Sequence, residues 1–205
     1  LGNNVLSFQD IIRIKQVEDV LEKYWNDHRM DTTVEYLVTH VFETPFDFFQ
    51  QFGAFWDERG WSRIGHQLED LYKRLYEFLH ETHPQKIHII ESIMKYDYVK
   101  GQKFKPRKPW WPESIARNER SHYYQGILAN NDLLGDNFVQ HQLSEKDIYK
   151  HTILEEIHFD LAHFLQTGEV HEAKQIMLVY FNQTLNRSEV YCTPLEDVKR
   201  LTVQK

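Results

Sequence analysis

Glutamate and histidine pairs are the residues of this chain whose spacing points most directly to metal chemistry. Among twelve histidines, Glu-x-x-His occurs at Glu77/His80, Glu119/His122 and Glu155/His158. Carboxylate-bridged di-iron bundles use two such pairs together with two further inward glutamates. The third pair lies in a predicted strand, where residues three apart point to opposite faces. Since a chain rich in both residue types yields such pairs by chance, a di-metal bundle is an alternative only, and no metal ligand is assigned.

Nucleophilic and redox chemistry have little support in the sequence. The single cysteine, Cys192, lies in a β-rich segment without a nearby basic residue, which favours inert packing. One cysteine cannot form an internal disulfide or supply three thiolate ligands to an iron–sulfur cluster. Glycine-rich phosphate loops, G-x-S-x-G and H-E-x-x-H do not occur. The sequence therefore predicts no catalytic and no cofactor-binding residue in this chain.

The segment "KYDYVKGQKFKPRKPWWPES", residues 95–114, combines cations with aromatic rings. This is the composition of a site for an anionic, planar partner. The candidate substrate or partner contacts are Tyr96, Asp97, Tyr98, Lys105, Arg107, Lys108, Trp110 and Trp111. The alternative, which we favour, is a proline-stiffened connector in which Tyr96 and Trp111 are packing anchors and Asp97 is a cap or salt-bridge partner.

Composition limits the classes of partner. A length of 205 residues is enough for one ordinary domain, and a net charge of -7 argues against a global attraction to nucleic acid. The mean hydropathy of -0.62 and the lack of an apolar run of about 18 residues argue against a membrane span. The single cysteine fits a reducing cytosol. These features predict a soluble, cytoplasmic protein that makes no use of a membrane.

Helical periodicity dominates the first 98 residues. The pair Ser7/Asp10 begins a helix with an apolar stripe, and Asp31 is predicted to cap a second helix. Thr44 before Pro45 begins a third helix, which closes at Gly60. A fourth helix, rich in leucine and tyrosine, ends before Pro84, and a fifth begins near Ile87. The prolines and Gly101 of the segment 95–114 prevent it from continuing the fifth helix.

The third helix carries a regular row of aromatic rings at Phe46, Phe49, Phe52, Phe55 and Trp56. Such a row could form a box for a flat ligand. Rings at this spacing more often form the core of a helical bundle, and we favour that interpretation.

The apolar period changes from 3.6 to 2 in the last quarter of the chain. The stretches "EEIHFDL", "QIMLVYFN" and "SEVYCTP" predict a small antiparallel sheet over residues 152–194, with "LQTGEVHEAK" as a connection. Between the two patterns, "PESIARNERSHYYQGILANND" and "SEKDIYK" predict short helices. The fold class is therefore α+β and mainly α, with an N-terminal multi-helix bundle followed by a small C-terminal sheet or ribbon.

The predicted organisation has four parts within one compact domain. A helical bundle covers residues 1–98, a connector 99–114, a helical or irregular segment 115–150, and a small antiparallel β unit 151–205. Because the N-terminus "LGNNVLSF" has neither an initiator Met nor the features of a signal peptide, we expect the chain to be cut from a longer polypeptide.

Three stretches carry a resemblance to a known group of proteins. The sequences "LSFQDIIRIKQVEDVLEKYWN", "TPFDFFQQFGAFWDERGW" and "MKYDYVKGQ…PWWP" resemble the uncharacterised C-terminal region of bacterial cobalamin-binding-domain radical SAM proteins. This group is often labelled as anaerobic magnesium-protoporphyrin monomethyl ester cyclase-like. The resemblance covers most of the first 115 residues and is weaker over the β part. Its motifs are helical and aromatic, and none is catalytic.

The resemblance implies a parent enzyme with several cofactors. Such proteins bind cobalamin in an N-terminal domain and hold a [4Fe–4S] cluster in a central partial barrel, where S-adenosylmethionine is cleaved. Because the cluster motif is missing here, no catalytic residue is carried onto this chain. The resemblance implies an accessory domain that follows the barrel, with the radical SAM and cobalamin-binding domains of the same polypeptide as its partners. The parent would be oxidative cyclase- or methyltransferase-like, with its substrate and oligomeric state left open.

Other classes of function stay open at this point. One is a stand-alone helical module that binds a protein partner. Another is a single-stranded nucleic-acid binder that uses the segment 95–114, although the acidic composition argues against it.

Overall fold

Residues 6–203 are described by a computed structural model, which separates the chain into two units, residues 1–97 and residues 98–205. Helices cover most of both units, and a three-stranded antiparallel sheet lies in the second. The predicted α+β, mainly α class is therefore confirmed. Within the described residues, every helix is too short or too polar to cross a membrane.

The helices of the first unit are α1 (Phe8–Leu21), α2 (Asp31–Tyr36), α3 (Pro45–Glu58), α4 (Leu68–Thr82) and α5 (Ile87–Lys100). Two of them widen into π-helical turns: α1 continues through Glu22–Asn26, and α2 continues through Leu37–Val41. Such turns shift the register of the following side chains, and they are frequent at functional sites.

The predicted helix starts are confirmed at two of three positions. Ser7 and Asp10 form a capping box on α1, and the Thr44 hydroxyl accepts a hydrogen bond from the Asp47 backbone N–H at the start of α3. The prediction for Asp31 was wrong, because Met30 holds the cap position and Asp31 is the first residue of α2. Its carboxylate instead lies 3.2 Å from the ring of His28.

Aromatic rings fill the core of the first unit. The Phe52 ring lies 4.9 Å from the rings of both Tyr24 and Phe78, and Trp56 meets Tyr24 edge to face at 5.8 Å. The buried Tyr24 hydroxyl donates a hydrogen bond to the carbonyl of Leu71 at 2.8 Å, so the ring is satisfied at both its apolar and polar ends.

Gly53 brings α1 and α3 into backbone contact. A Cβ atom built at this position would lie 2.7 Å from the Gln16 carbonyl oxygen and 2.8 Å from its carbonyl carbon. The Gln16 side-chain amide donates a hydrogen bond to the Asp57 carboxylate at 3.0 Å, one turn farther along α3. Only glycine permits this approach, since the opposing atoms belong to a helical backbone that moves as a unit.

Within the described residues, the second unit holds five further α-helices and three strands. The helices are α6 (Arg117–Ala129), α7 (Asp136–Val139), α8 (Glu145–His151), α9 (Leu161–Thr167) and α10 (Leu195–Val203). The strands are β1 (Thr152–Phe159), β2 (Glu172–Asn182) and β3 (Arg187–Pro194), paired antiparallel in the order β1-β2-β3.

One face of this sheet packs against helices of the same unit. Leu154 on β1 pairs with Leu178 on β2, and both belong to a buried cluster that includes Ile127 of α6, Ile148 of α8 and Val198 of α10. The neighbouring residues on β2, Met177 and Val179, are also fully buried. Both faces of β2 are therefore covered, which explains the continuous apolar run in this strand.

Three local features differ from the sequence prediction. Helix α5 continues to Lys100, so the first part of the segment 95–114 is helical and the irregular part begins at Gly101. Leu161 belongs to α9 and not to a strand, because the Asp160 carboxylate accepts a hydrogen bond from the His163 N–H and caps this helix. The short helix α7 has too few residues for a periodic signal.

Gly53→Ala is expected to lower the free energy of unfolding by about 1–3 kcal/mol, since the added methyl group overpacks the contact between α1 and α3. The gain in helix propensity, about 1 kcal/mol, offsets part of this cost. The measurement is the urea unfolding midpoint. Gly65→Ala is the matched control, because no described atom lies within 4 Å of its added Cβ. Equal stability of both variants would show that α1 and α3 do not approach closely at Gly53.

Candidate functional site

An apolar groove opens between α1 and the start of α3 on the first unit. Its volume is about 390 Å³, and its lining residues are Val17, Leu21, Trp25, Val38, Pro45, Phe46 and Phe49. We call it the α1–α3 groove. Trp25 and Val38 come from the two π-helical turns, so these turns contribute directly to its walls. The lining offers shape and apolar contact, with no titratable side chain among these residues.

Two large aromatic side chains of the groove lining remain exposed. Phe46 is 61% exposed and Trp25 is 42% exposed. Phe8 and Ile12 of α1, which are 59% and 38% exposed, are not among the lining residues. The sequence analysis favoured Phe46 as a core ring, and that interpretation is wrong for Phe46, although Phe49, Phe52 and Trp56 are buried as expected. Exposed apolar side chains grouped at a groove are typical of an interaction site.

Four of the five aromatic residues of the segment 95–114 lie in the interior. Tyr96, Tyr98, Trp110 and Trp111 are between 1% and 9% exposed. The Trp111 ring contacts the rings of Tyr98 and Trp110, each at 5.5 Å and edge to face. These side chains therefore act as packing anchors, as the connector interpretation requires, and they present little ring surface for stacking with a ligand.

The polar candidates in this segment serve mainly as internal partners. The Asp97 carboxylate is buried and accepts hydrogen bonds from the backbone N–H and the hydroxyl of Thr33, at 2.6 and 2.7 Å. Lys105 donates to the carbonyl of Tyr149 at 2.9 Å. Of the remaining candidates, Arg107 and Lys108 are exposed. The structure thus does not gather the eight candidate contacts into one exposed site.

A second, polar pocket lies at the start of α6. It has a volume of about 770 Å³ and is lined by Arg117, Asn118, Arg120, Ser121 and Tyr149. Arg120 forms a two-point ion pair with Glu113, with N–O distances of 2.8 and 2.5 Å. Desolvation, followed by the nearby charge of Arg120, lowers the pKa of Lys105 at the edge of this region. The pocket therefore mixes cations with a carboxylate and is only weakly selective for anions.

The buried phenols and the thiol are held in their neutral forms. Burial raises the pKa of Tyr124 to about 12 and that of Cys192 to about 12, and it raises the pKa of Tyr24 well above its ordinary value. For Cys192 the negative charge of Asp160 adds to the effect. At neutral pH these groups are protonated, so they are poor nucleophiles.

A polar network missed by the sequence analysis joins β3 to the residues after α7. The Tyr191 hydroxyl donates to the Glu189 carboxylate at 2.8 Å, and the His141 ring nitrogen lies 2.7 Å from each of these groups. Burial raises the pKa of Glu189, but hydrogen bonds from Tyr191 and Arg187 and the charge of His141 outweigh it and lower the pKa. His141 is 50 residues from Tyr191 in sequence, so only the fold reveals this network.

Potential metal ligands meet at a different place from the predicted pairs. Among the described residues, His163, Glu169 and His171 form the one group whose donor atoms all lie within 4.8 Å of one another. None of the three Glu-x-x-His pairs belongs to it. Glu155, for example, accepts a hydrogen bond from the Ser114 hydroxyl at 2.7 Å. The group escaped detection because its members lie on a helix, a turn and a strand approach and follow no regular period.

An iron–sulfur cluster does not fit the residues of this chain. A cluster of the type expected in the parent enzyme needs three thiolates, and the only cysteine is Cys192. Its thiol is mostly buried, and its pKa of about 12 disfavours the thiolate that iron requires. The residues of this chain could therefore not hold such a cluster.

Comparison with known families places the chain in one of them. The model of the family described as "Protein of unknown function (DUF4080)" matches residues 1–179, so the chain belongs to this family. The match includes the whole first unit and extends into β2. It confirms the resemblance to an uncharacterised domain. No curated protein matches the chain.

Replacing Trp111 by Ala is expected to lower the free energy of unfolding by about 3–5 kcal/mol, because a buried ring is lost from the packing of the connector. Phe104→Ala is the matched control, since this ring of the same segment is 63% exposed and its loss should cost less than about 0.5 kcal/mol. Urea unfolding gives both values. If Trp111→Ala instead leaves stability unchanged and weakens binding to a single-stranded oligonucleotide, the segment is a ligand loop.

Proposed function

We propose that this family member is the C-terminal accessory domain of a cobalamin-dependent-type radical SAM enzyme. In this proposal it covers the barrel or shapes substrate access and has no catalytic centre of its own. The α1–α3 groove, with the exposed rings of Phe46 and Trp25 in its lining, is the observation that carries it. The iron–sulfur cluster, S-adenosylmethionine and cobalamin would all be bound by the preceding domains, in the cytoplasm.

In a radical enzyme, such a surface would keep water away from the reacting substrate. A substrate radical reacts with hydrogen donors in the solvent and on side chains unless the active site is closed. A covering domain would close it. Apolar side chains suit this role because they exclude water. Phe46 and Trp25 are large, exposed rings of this kind.

The position of the surface in the chain also supports the proposal. In the proteins that this chain resembles, the barrel precedes the C-terminal region, so a catalytic domain would be joined before α1. Val17 and Leu21 of that helix line the groove. A covalent link raises the effective concentration of the two surfaces to the millimolar range, so even a modest apolar contact would be occupied.

The titratable groups of the chain support a role without catalysis. Tyr24, Tyr124 and Cys192 are held neutral by burial, and the Asp97 carboxylate is engaged by Thr33. These groups stabilise the fold and do not converge on an open cavity. The α1–α3 groove has an apolar lining that can bind but cannot transfer a proton.

The first test is to read the coding DNA upstream of the Leu1 codon in frame. We expect several hundred codons that include Cys-x-x-x-Cys-x-x-Cys. A start codon immediately upstream would overturn the proposal. It would favour the second candidate, a stand-alone interaction module that uses the same groove for a partner helix.

The second test asks whether the groove is covered in the parent polypeptide. An apolar fluorescent dye should bind this chain alone, and Phe46→Ser should weaken that binding by about 5–10-fold, or about 1–1.4 kcal/mol. Ile64→Ser is the matched control, because Ile64 is 53% exposed and lies outside the groove lining. In the full-length polypeptide, purified anaerobically, dye binding at this site should be lost. Equal binding in both forms, still sensitive to Phe46→Ser, would show that no catalytic domain covers the groove.

A further inference from the structure

We propose that His163, Glu169 and His171 bind one divalent transition-metal ion of the zinc class, which ties α9 to the start of β2. We call these three residues the α9–β2 cluster. The site is independent of the α1–α3 groove and lies wholly within the second unit. It goes beyond an accessory role because it assigns a ligand to the chain itself.

The backbone already brings the three residues together. The Asp160 N–H donates to the His171 carbonyl at 2.9 Å, which holds the approach to β2 beside the start of α9. The Asp160 carboxylate accepts from the His163 N–H at 3.0 Å and places the histidine in the first turn of α9. Both histidines are therefore positioned by hydrogen bonds to a single residue, before any ion binds.

The turn after α9 supplies the third ligand. Gly168 ends the helix with a φ of +76°, a left-handed conformation that reverses the chain. The next residue, Glu169, donates its backbone N–H to the Thr167 hydroxyl at 3.1 Å. This bond keeps Glu169 close to the helix end, so its carboxylate reaches the two imidazoles without an ordering cost for a long loop.

The distances suit a shared ion. All three donor atoms lie within 4.8 Å of one another. Two donors bound tetrahedrally to one zinc ion at about 2.0–2.1 Å lie about 3.4 Å apart, so at most about 1.4 Å of closure is needed. The ring centroids of His163 and His171 are 3.8 Å apart with planes inclined by 15°. Rotation about χ2, a broad torsion for histidine, turns both nitrogens toward one point.

A buried nitrogen in the cluster supports this assignment. The Nε2 atom of His163 is shielded from solvent and has no hydrogen-bond partner among the described residues. A buried polar atom of this kind is costly unless something satisfies it. A metal ion that accepts the lone pair of Nε2 would satisfy this atom. The exposed His171 and Glu169 leave an entry path from solvent.

The donor set selects the class of ion. Two imidazoles and one carboxylate form a known set of three protein ligands for Zn²⁺, with water in the fourth position. Ni²⁺ and Co²⁺ share this preference for imidazole, whereas Mg²⁺ and Ca²⁺ prefer oxygen ligands. The cluster should therefore bind Zn²⁺ and discriminate against Mg²⁺ and Ca²⁺.

The test is calorimetric titration of the tag-free chain with zinc chloride. We expect one tight site, and His171→Ala should weaken it by more than about 10-fold, since even the loss of an outer partner of a metal ligand costs about 10–100-fold. His122→Ala is the matched control, because this exposed histidine belongs to a Glu-x-x-His pair outside the cluster. Affinity that is unchanged in His171→Ala, or lowered equally by His122→Ala, would overturn the proposal.

A second measurement guards against misfolding of the variants. Zinc should raise the Tm of the wild-type chain and of His122→Ala, whereas magnesium should not. Glu169→Gln keeps the size of an exposed side chain and should retain the wild-type Tm without metal, but it should lose most of the zinc-dependent rise. A full rise in Glu169→Gln would remove Glu169 as a ligand and overturn the three-residue site.

Discussion

The contact of α1 with α3 at Gly53 is the constraint on which the first unit depends. Because no side chain separates the two backbones there, α3 lies deep against α1 and its aromatic rings enter the core beside Tyr24. The α1–α3 groove lies beside this contact, since Val17, whose backbone N also faces Gly53, is one of its lining residues. A larger residue at position 53 would push the helices apart and alter both the core and the groove. The packing and the candidate interaction surface are thus set by one small residue.

The sequence was sufficient for the helices whose signals are local. The Ser7/Asp10 and Thr44/Pro45 starts are encoded by side chains that bond within one turn, and both were predicted. The outward side of the α1 stripe was not, because periodicity shows that a face is apolar but not whether another element covers it. Phe8 and Phe46 are the residues where this distinction matters most, and Phe46 lines the α1–α3 groove.

The site residues were harder to predict for the same reason. The segment 95–114 combines the composition of a ligand loop with that of a connector, and only burial separates the two. The α9–β2 cluster depends on the Asp160 cap and on the left-handed turn at Gly168, which together fold three unremarkable positions onto one point. Regular motifs such as Glu-x-x-His drew attention instead. Non-periodic clusters of this kind need a three-dimensional structure to be seen.

Two lysines of the segment 95–114 have partners within the fold, which limits the free energy that this segment could gain by binding a nucleic acid. Lys95 is 3.0 Å from the Glu91 carboxylate, and Lys105 is bonded to the Tyr149 carbonyl. Arg120, which follows the segment, is occupied by Glu113. Phosphate binding gains its free energy from cations that release counterions, and a cation already paired within the fold contributes little to that release. With a net charge of -7, the whole chain repels the phosphates of a nucleic acid, and this repulsion opposes the attraction of the remaining exposed cations. The α1–α3 groove of the first unit has no charged side chain in its lining that would repel a partner. A contact with it would gain free energy by removing apolar surface from water.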